Sequence, residues 1–402
     1  MEKNNKTLNV PHLRFPEFGG EWEKHSLGEI GSTLIGLTYS PADVVKEDGV
    51  IVLRSSNIQD GEIDYKDLVR VNKKIKDSLF TKKNDILICA RNGSSRLIGK
   101  NALISDDDTG HSYGAFMMMY RSEDNPFVRQ LLCTKRYFAQ VGENLGARIN
   151  QITTSDMNSF EFFFPQSKEE RHKVASFLRL IDERISTQKK IIEDLKKLKD
   201  AISKSLFLRA DLLEKRIPIS EAGNLKNGYA FQSSSYDANG EYEIVTISNV
   251  TGDRNICSNG CNRILTRPSD LQPHQELKSG DILISLTGNV GRVSLCREGK
   301  FLLNQRVGLL KLNAGVNAEY IYQVISTKRF EQAMISCSQG AAQMNIGKGD
   351  IENYIIPYSD NSLILLHIAS ILKTYDASIL VEYRKLQLLS IQKRHFLSQM
   401  FI

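Results

Sequence analysis

Ala175-Ser176-Phe177-Leu178-Arg179, followed by Asp182 and Ile185, returns as Ala369-Ser370-Ile371-Leu372-Lys373, followed by Asp376 and Ile379. The displacement is 194 residues in a chain of 402. At the same displacement Lys190 meets Arg384, Leu195 meets Leu389, Lys199 meets Lys393, and Leu206-Phe207 meets Met400-Phe401. Upstream, Asn84-Asp85-Ile86-Leu87-Ile88 parallels Gly280-Asp281-Ile282-Leu283-Ile284, and residues 53–58 (LRSSNI) parallel residues 245–250 (VTISNV). One repeat of nearly half the chain means two like units, each a variable globular part followed by a similar helix, and not a solenoid of short repeats.

Around the quoted stretch the apolar residues follow 4,3 spacing. In the first copy they are Val174, Leu178, Ile181, Ile185, Ile192, Leu195, Ile202 and Leu206; in the second, Ile368, Leu372, Tyr375, Ile379, Leu386, Leu389, Phe396 and Met400. This is a coiled-coil seam, and it predicts two helices, over 166–209 and 359–402, each ~40 residues and ~60 Å long. Ser167 with Glu170 three residues later, just after Pro165, reads as a capping-box start. Gln188, Lys199, Glu382 and Lys393 interrupt the seam. A parallel, in-register pair would set Lys199 against Lys393. An antiparallel pair sets Lys199 against Glu382 and Gln188 against Lys393, so the helices are expected to run in opposite directions; the alternative is that both lysines snorkel to solvent. The expected shape is two like lobes at the ends of a stiff rod, related by a pseudo-two-fold axis. The lobes, 1–165 and 210–358, read as α+β: short β-rich runs at 51–53, 85–89, 244–247 and 281–286, and helices at 126–141 and 318–335.

Composition agrees with a folded protein of two or three domains: 41% of residues are hydrophobic and 25% charged. The N-terminus shows no apolar leader, and the longest apolar runs, such as 115–120, fall short of the ~18 residues of a membrane span. A cytoplasmic protein with no membrane contact is expected, with its six cysteines reduced. The net charge of +6 is unevenly placed: 21 basic against 22 acidic residues in 1–165, 12 against 7 in 166–209, 15 against 15 in 210–358, and 5 against 3 in 359–402. Both lobes are near neutral, so bulk charge does not argue for DNA; a phosphate grip would need basic groups gathered on one face.

Enzyme signatures are missing. Gly93 to Asn101 has one residue too many between its glycines for a phosphate loop and ends on Asn where Ser or Thr should bind magnesium. Asp124-Asn125-Pro126-Phe127 reads as a helix start. Cys257 and Cys261 have no second ligand pair at zinc spacing, so no metal is expected. What remains is polar loops after corresponding strands. In lobe one these are Arg54-Ser55-Ser56-Asn57, then Arg91, Asn92, Ser94 and Arg96, then Arg148, Asn150 and Gln151. In lobe two they are Thr246, Ser248 and Asn249, then Thr287, Asn289 and Arg292, then Asn304, Gln305 and Arg306, then Gln343, Asn345 and Lys348. Arg, Asn and Gln can each make two hydrogen bonds to a purine edge in the major groove. Because the corresponding loops differ in sequence, the lobes would read different bases.

The pattern resembles the specificity subunit of bacterial type I restriction-modification enzymes. The resemblance rests on residues 11–18 (PHLRFPEF) with Gly20-Glu21-Trp22, on the Asp-Ile-Leu-Ile strand in each lobe, and on the paired helices. It implies two similar target-recognition domains joined by a long antiparallel coiled coil, non-catalytic, reading a bipartite site in double-stranded DNA. It also implies two methyltransferase subunits that use S-adenosylmethionine to methylate adenine N6, and allows for two restriction subunits needing ATP and Mg; no cofactor is expected in this chain. Two alternatives stay open: a self-contained restriction and methylation enzyme, and a coiled-coil adaptor that does not touch DNA.

Overall fold

The computed structural model describes residues 9–145, 150–338 and 344–402. The chain divides into two compact units, Met1–Thr187 with Leu386–Ile402, and Gln188–Lys385.

In the first unit, Ile86–Cys89 is buried along its whole length. Ile86 and Ile88 join Met118 and Tyr120 in one core, while Leu87 and Cys89 join Met117 and Met119 in another. A strand covered on both faces is an unbroken apolar run, which is how this one reads in the sequence. It lies in an antiparallel sheet of order Ser32–Ile35, Met117–Arg121, Ile86–Cys89, Asn101–Leu103. A second four-stranded sheet is built on the parallel pair Ser112–Tyr113 and Val50–Leu53. Glu23–Ser26 pairs antiparallel with Glu161–Phe164.

The first unit also holds the start of one long helix, Lys168–Phe207, and the end of another, Ser362–Met400. Val174, Ala175, Leu178 and Ile181 share a core with Leu397, Met400 and Phe401. The rings of Phe177 and Phe396 meet edge-on at 5.0 Å, and Lys393 pairs with Asp182. Early residues of one helix therefore face late residues of the other, so the two run antiparallel. Ser167 Oγ accepts the Glu170 amide at 3.1 Å, but the capping box is not closed. The Glu170 carboxylate, 1% exposed, instead accepts Arg14 Nε and Nη2 at 2.7 Å each and Trp22 Nε1 at 3.3 Å. A buried anion needs a cation more than it needs its own helix amide.

The second unit repeats this plan. Its sheet order, Gly223–Asn227, Val307–Leu312, Ile282–Ser285, Val293–Leu295, is the same antiparallel arrangement, and Tyr242–Val245 again pairs in parallel, here with Phe301–Leu303. Ile282 and Ile284 face a core with Ile368, Ala369 and Leu372, against which Ile202, Leu206 and Phe207 pack; Leu283 faces the opposite core.

The seam partners differ from expectation. Gln188 Nε2 donates to Glu382 at 2.6 Å and Lys199 Nζ to Asp376 at 2.6 Å, so Lys199 does not meet Glu382 and Gln188 does not meet Lys393. The register is set by the aspartates of the repeat. Asp182 and Asp376 are repeat mates, as are Lys199 and Lys393, so the two ion pairs are one contact written twice; Gln188 meets its own mate, Glu382. Leu178, Ile181, Gln188, Ile192, Leu372 and Ile379 are buried, and Ile185, Leu195, Tyr375, Leu386 and Leu389 half-buried.

One other expectation changes. The helices read over 126–141 and 318–335 are each broken, into Asn125–Leu131 and Lys135–Leu145, and into Ala318–Ile325 and Lys328–Cys337. A threonine stands at each break, and Thr134 and Thr327 accept the amides of Tyr137 and Phe330. Ser362–Met400 also holds an 18-residue window of mean hydropathy 1.5, long and apolar enough by composition to cross a bilayer, although Asp376 within the helix is buried in ion pairs.

Candidate nucleic-acid interface

Three segments of the first unit converge at the ends of its central strands. Arg91 bridges Gln151 in antiparallel pairing, Asn92 N donates to Asn150 O at 3.3 Å, and Asn150 Nδ2 donates to Gly93 O at 2.9 Å. Asn92 Nδ2 donates to Ser55 Oγ at 3.0 Å, tying in the loop after Val50–Leu53. The amides of Ala90 and Arg91 both donate to Phe116 O at 3.0 Å, and the Arg91 guanidinium stacks 5.1 Å from the Phe116 ring. Arg91, Ser94, Arg96 and Phe116 are exposed, and Arg91 and Arg96 have no carboxylate partner among the described residues.

The second unit builds the same frame from other side chains. Thr287 bridges Asn345 as Arg91 bridges Gln151, and Gly288 N donates to Met344 O at 3.0 Å as Asn92 N does to Asn150 O. Leu286 N donates to Arg306 O at 3.0 Å, which puts Arg306 where the first unit has Phe116. Asn289, Gln305, Arg306, Asn345 and Ser248 are exposed.

Several sequence-predicted residues do not present themselves. Asn57 and Asn249 are 0% and 1% exposed. Asn57 Oδ1 accepts the Arg54 amide and its Nδ2 donates to Asp64 O and Asp67 O; Asn249 Oδ1 accepts the Thr246 amide and its Nδ2 donates to Cys257 O. Each closes its loop and has no edge left for a base. Arg54 pairs with Asp67 at 2.7 Å, Arg292 with Glu331 at 3.3 Å and Lys348 with Glu352 at 3.6 Å. Asn304 Oδ1 caps its own turn through Arg306 N at 3.1 Å. Arg148 and Gln343 lie outside the described residues.

Sequence reasoning missed Phe116, because it weighed only groups with hydrogen-bonding capacity. It also missed the loops that start at Gly36 and Gly228, where an added Cβ would collide with the carbonyls of Gly114 and Asn304. Only glycine lets these loops lie against the strand ends; the signal was a Gly-x-x-aromatic string, Gly36 to Tyr39 and Gly228 to Phe231. The Tyr229 hydroxyl donates to Asp270 at 2.9 Å, which raises its pKa. Burial pushes the Cys89 and Cys261 thiols up to about 11, so neither is a thiolate at neutral pH. No cluster of His, Cys, Asp and Glu suited to a metal occurs among the described residues.

Two related units, one presenting exposed Arg and Ser beside half-buried Asn and Gln, the other exposed Arg, Asn, Gln and Ser, at equivalent strand ends, define a doubled recognition protein. Residues 19–197 and 215–390 each match the type I restriction modification DNA specificity domain, and the chain belongs to that family. It is 23% identical over 366 residues to the type I restriction enzyme EcoKI specificity subunit of Escherichia coli K12, covering 83% of this chain and 78% of that one. It is 25% identical over 199 residues to the StySPI specificity subunit of Salmonella potsdam, covering 45% of this chain and 41% of that one. In fold it is similar to the type I restriction-modification S subunit from M. genitalium, with a TM-score of 0.58 at 17% identity over 98% of this chain and 99% of the other. A structure describing assembly and conformational transition of a type I system matches with a TM-score of 0.52 at 15% identity, over 97% and 99% of the two chains.

Proposed function

We propose that each unit of this DNA specificity subunit reads one half of a bipartite site, with 1–165 and 210–358 as target-recognition domains and 166–209 and 359–402 as the helical spacer. The observation that carries this reading is the shared frame with exchanged readers. The bridge Arg91 to Gln151 and the bridge Thr287 to Asn345 stand at the same place in equivalent sheets, yet offer a guanidinium and an amide in one case, a hydroxyl and an amide in the other. Forked guanidinium donors suit guanine O6 and N7, and amides suit adenine N6 and N7. Arg91 and Arg96 supply the first unit with positive charge that no carboxylate among the described residues neutralises, as phosphate contact requires.

In this reading the chain supplies the address and its partners the chemistry, in the cytoplasm. Methyltransferase subunits carry S-adenosylmethionine and methylate adenine at N6 after flipping it from the duplex, and restriction subunits, with ATP and Mg, cleave unmodified DNA. The test is the pattern of methylated adenines in cells expressing variants. Replacing Arg91 and Asn92 together by alanine should relax or abolish one half of the site, and replacing Thr287 and Asn289 the other. Equal loss at both halves from either double variant contradicts the assignment.

A further inference from the structure

In the first unit a single turn, closed by Met117 N donating to Gly114 O at 2.8 Å, presents Phe116 to solvent. Its flanking residues are held inside: Tyr113 is 0% and Met117 1% exposed, while Phe116 is 59% exposed. The second unit makes the same turn, with Val307 N donating to Asn304 O at 2.9 Å, and at its tip stands Arg306. One structural slot therefore holds a cation in one unit and a bare aromatic ring in the other. Phe116 is not a stray surface apolar residue, because its carbonyl anchors the amides of Ala90 and Arg91 and its ring carries the Arg91 guanidinium. It sits amid the polar loops of residues 54–57, 91–96 and 150–151, where every other exposed group can hydrogen-bond.

Among the groups that base pairs present in the major groove, the apolar one is the C5-methyl of thymine. We propose that Phe116 forms a thymine-methyl subsite in the half-site read by the first unit, with Arg91, stacked on the ring, aiming its fork at the neighbouring base. Rotation of Phe116 is limited by that stacking, so the ring offers a face to the methyl without a large loss of side-chain freedom. This inference rests on the reading that the first unit contacts DNA through these loops.

The experiment uses the full chain and duplexes carrying its mapped site, with each thymine replaced in turn by deoxyuridine, which removes the methyl alone. Burying one methyl corresponds to roughly a fourfold change in affinity. The expected result is one position, in the half assigned to the first unit, where deoxyuridine weakens wild-type binding by about that factor, and where Phe116→Ala binds both duplexes equally. Phe116→Leu, which keeps an apolar side chain, should retain part of the discrimination. The subsite is overturned if wild type ignores every methyl in that half, or if Phe116→Ala keeps the wild-type preference for thymine over deoxyuridine at that position. Should Arg91→Ala with Asn92→Ala leave that half unaffected too, the underlying assignment of the first unit fails; a Phe116 failure with an intact Arg91 and Asn92 effect removes the subsite alone.

Discussion

Asp376→Ala should destabilise the second unit far more than Asp182→Ala destabilises the first, although the two aspartates are repeat mates. Asp376 is 7% exposed and accepts Lys199 Nζ at 2.6 Å, Gln323 Nε2 at 2.7 Å and Arg254 Nη1 at 3.0 Å. Arg254 also grips Glu319 through two bonds of 2.7 and 2.6 Å and lies 5.1 Å from the Tyr322 ring. The cluster is balanced, two cations against two carboxylates, so deleting Asp376 strands a positive charge where the Lys199 side chain is only 16% exposed. Removing one partner of such a pair costs about 3–5 kcal/mol. Asp182 is 38% exposed and, among the described residues, pairs with Lys393 alone. The Lys393 side chain is 16% exposed, as Lys199 is, so the difference rests on the Arg254 and Gln323 bonds that Asp376 accepts and on the water that reaches Asp182. A pair with one half-exposed partner is worth about 1 kcal/mol. Urea unfolding followed by far-UV circular dichroism measures both variants. Hydrogen exchange over 318–325 and 362–385 locates the loss, since a chain of two units need not unfold in one step. Trp22, the lone tryptophan, reports on the first unit by fluorescence. Removing both charges, Lys199→Met with Asp376→Leu, should recover most of the loss, because an apolar pair carries no desolvation cost. Equal midpoints for Asp376→Ala and Asp182→Ala would refute the reasoning, as would a double variant no better than the single.

Glu170→Ala strands Arg14 and the Trp22 indole N–H in the first unit. It should cost about 3 kcal/mol, with a red shift of Trp22 emission; an unshifted spectrum and melting curve contradict it. Gly36→Ala and Gly228→Ala force a Cβ against a backbone carbonyl that cannot rotate away. Each should cost about 1–3 kcal/mol and impair binding of its own half-site, which duplexes altered in one half at a time would reveal. Burial raises the Glu319 carboxyl, but hydrogen bonds from Arg254 and Gln323 outweigh it and hold the group below its ordinary 4.5. The folded state then binds fewer protons than the unfolded one, so the contribution is whole above pH 4.5 and lost as pH falls through the depressed value. Arg254→Met should therefore move acid unfolding of the second unit to higher pH; an unchanged midpoint in a pH titration by circular dichroism argues against it.

The doubled plan and the helix seam were legible in the linear chain, because both are periodic: a repeat of 194 residues and a 4,3 stripe are properties of spacing alone. The opposed direction of the helices also followed from the sequence, through the cost of setting like charges together. Their register did not, because Asp182 and Asp376 look in the sequence like solvent-facing residues of the repeat, and only packing shows that they take the lysines. The loops were found but their members were not sorted. Asn57 and Arg91 are equally polar as letters, yet one amide is spent on its own backbone and the other side chain is exposed, stacked on Phe116 with its hydrogen-bond donors turned to no carboxylate among the described residues, a difference made by burial. Phe116 lay beyond sequence reasoning for the opposite reason: an apolar residue among buried methionines reads as core, and only the turn that lifts it between Tyr113 and Met117 turns it outward. Spacing along the chain sets which elements form, while exposure and partnership belong to atoms distant in sequence and are decided when those elements pack.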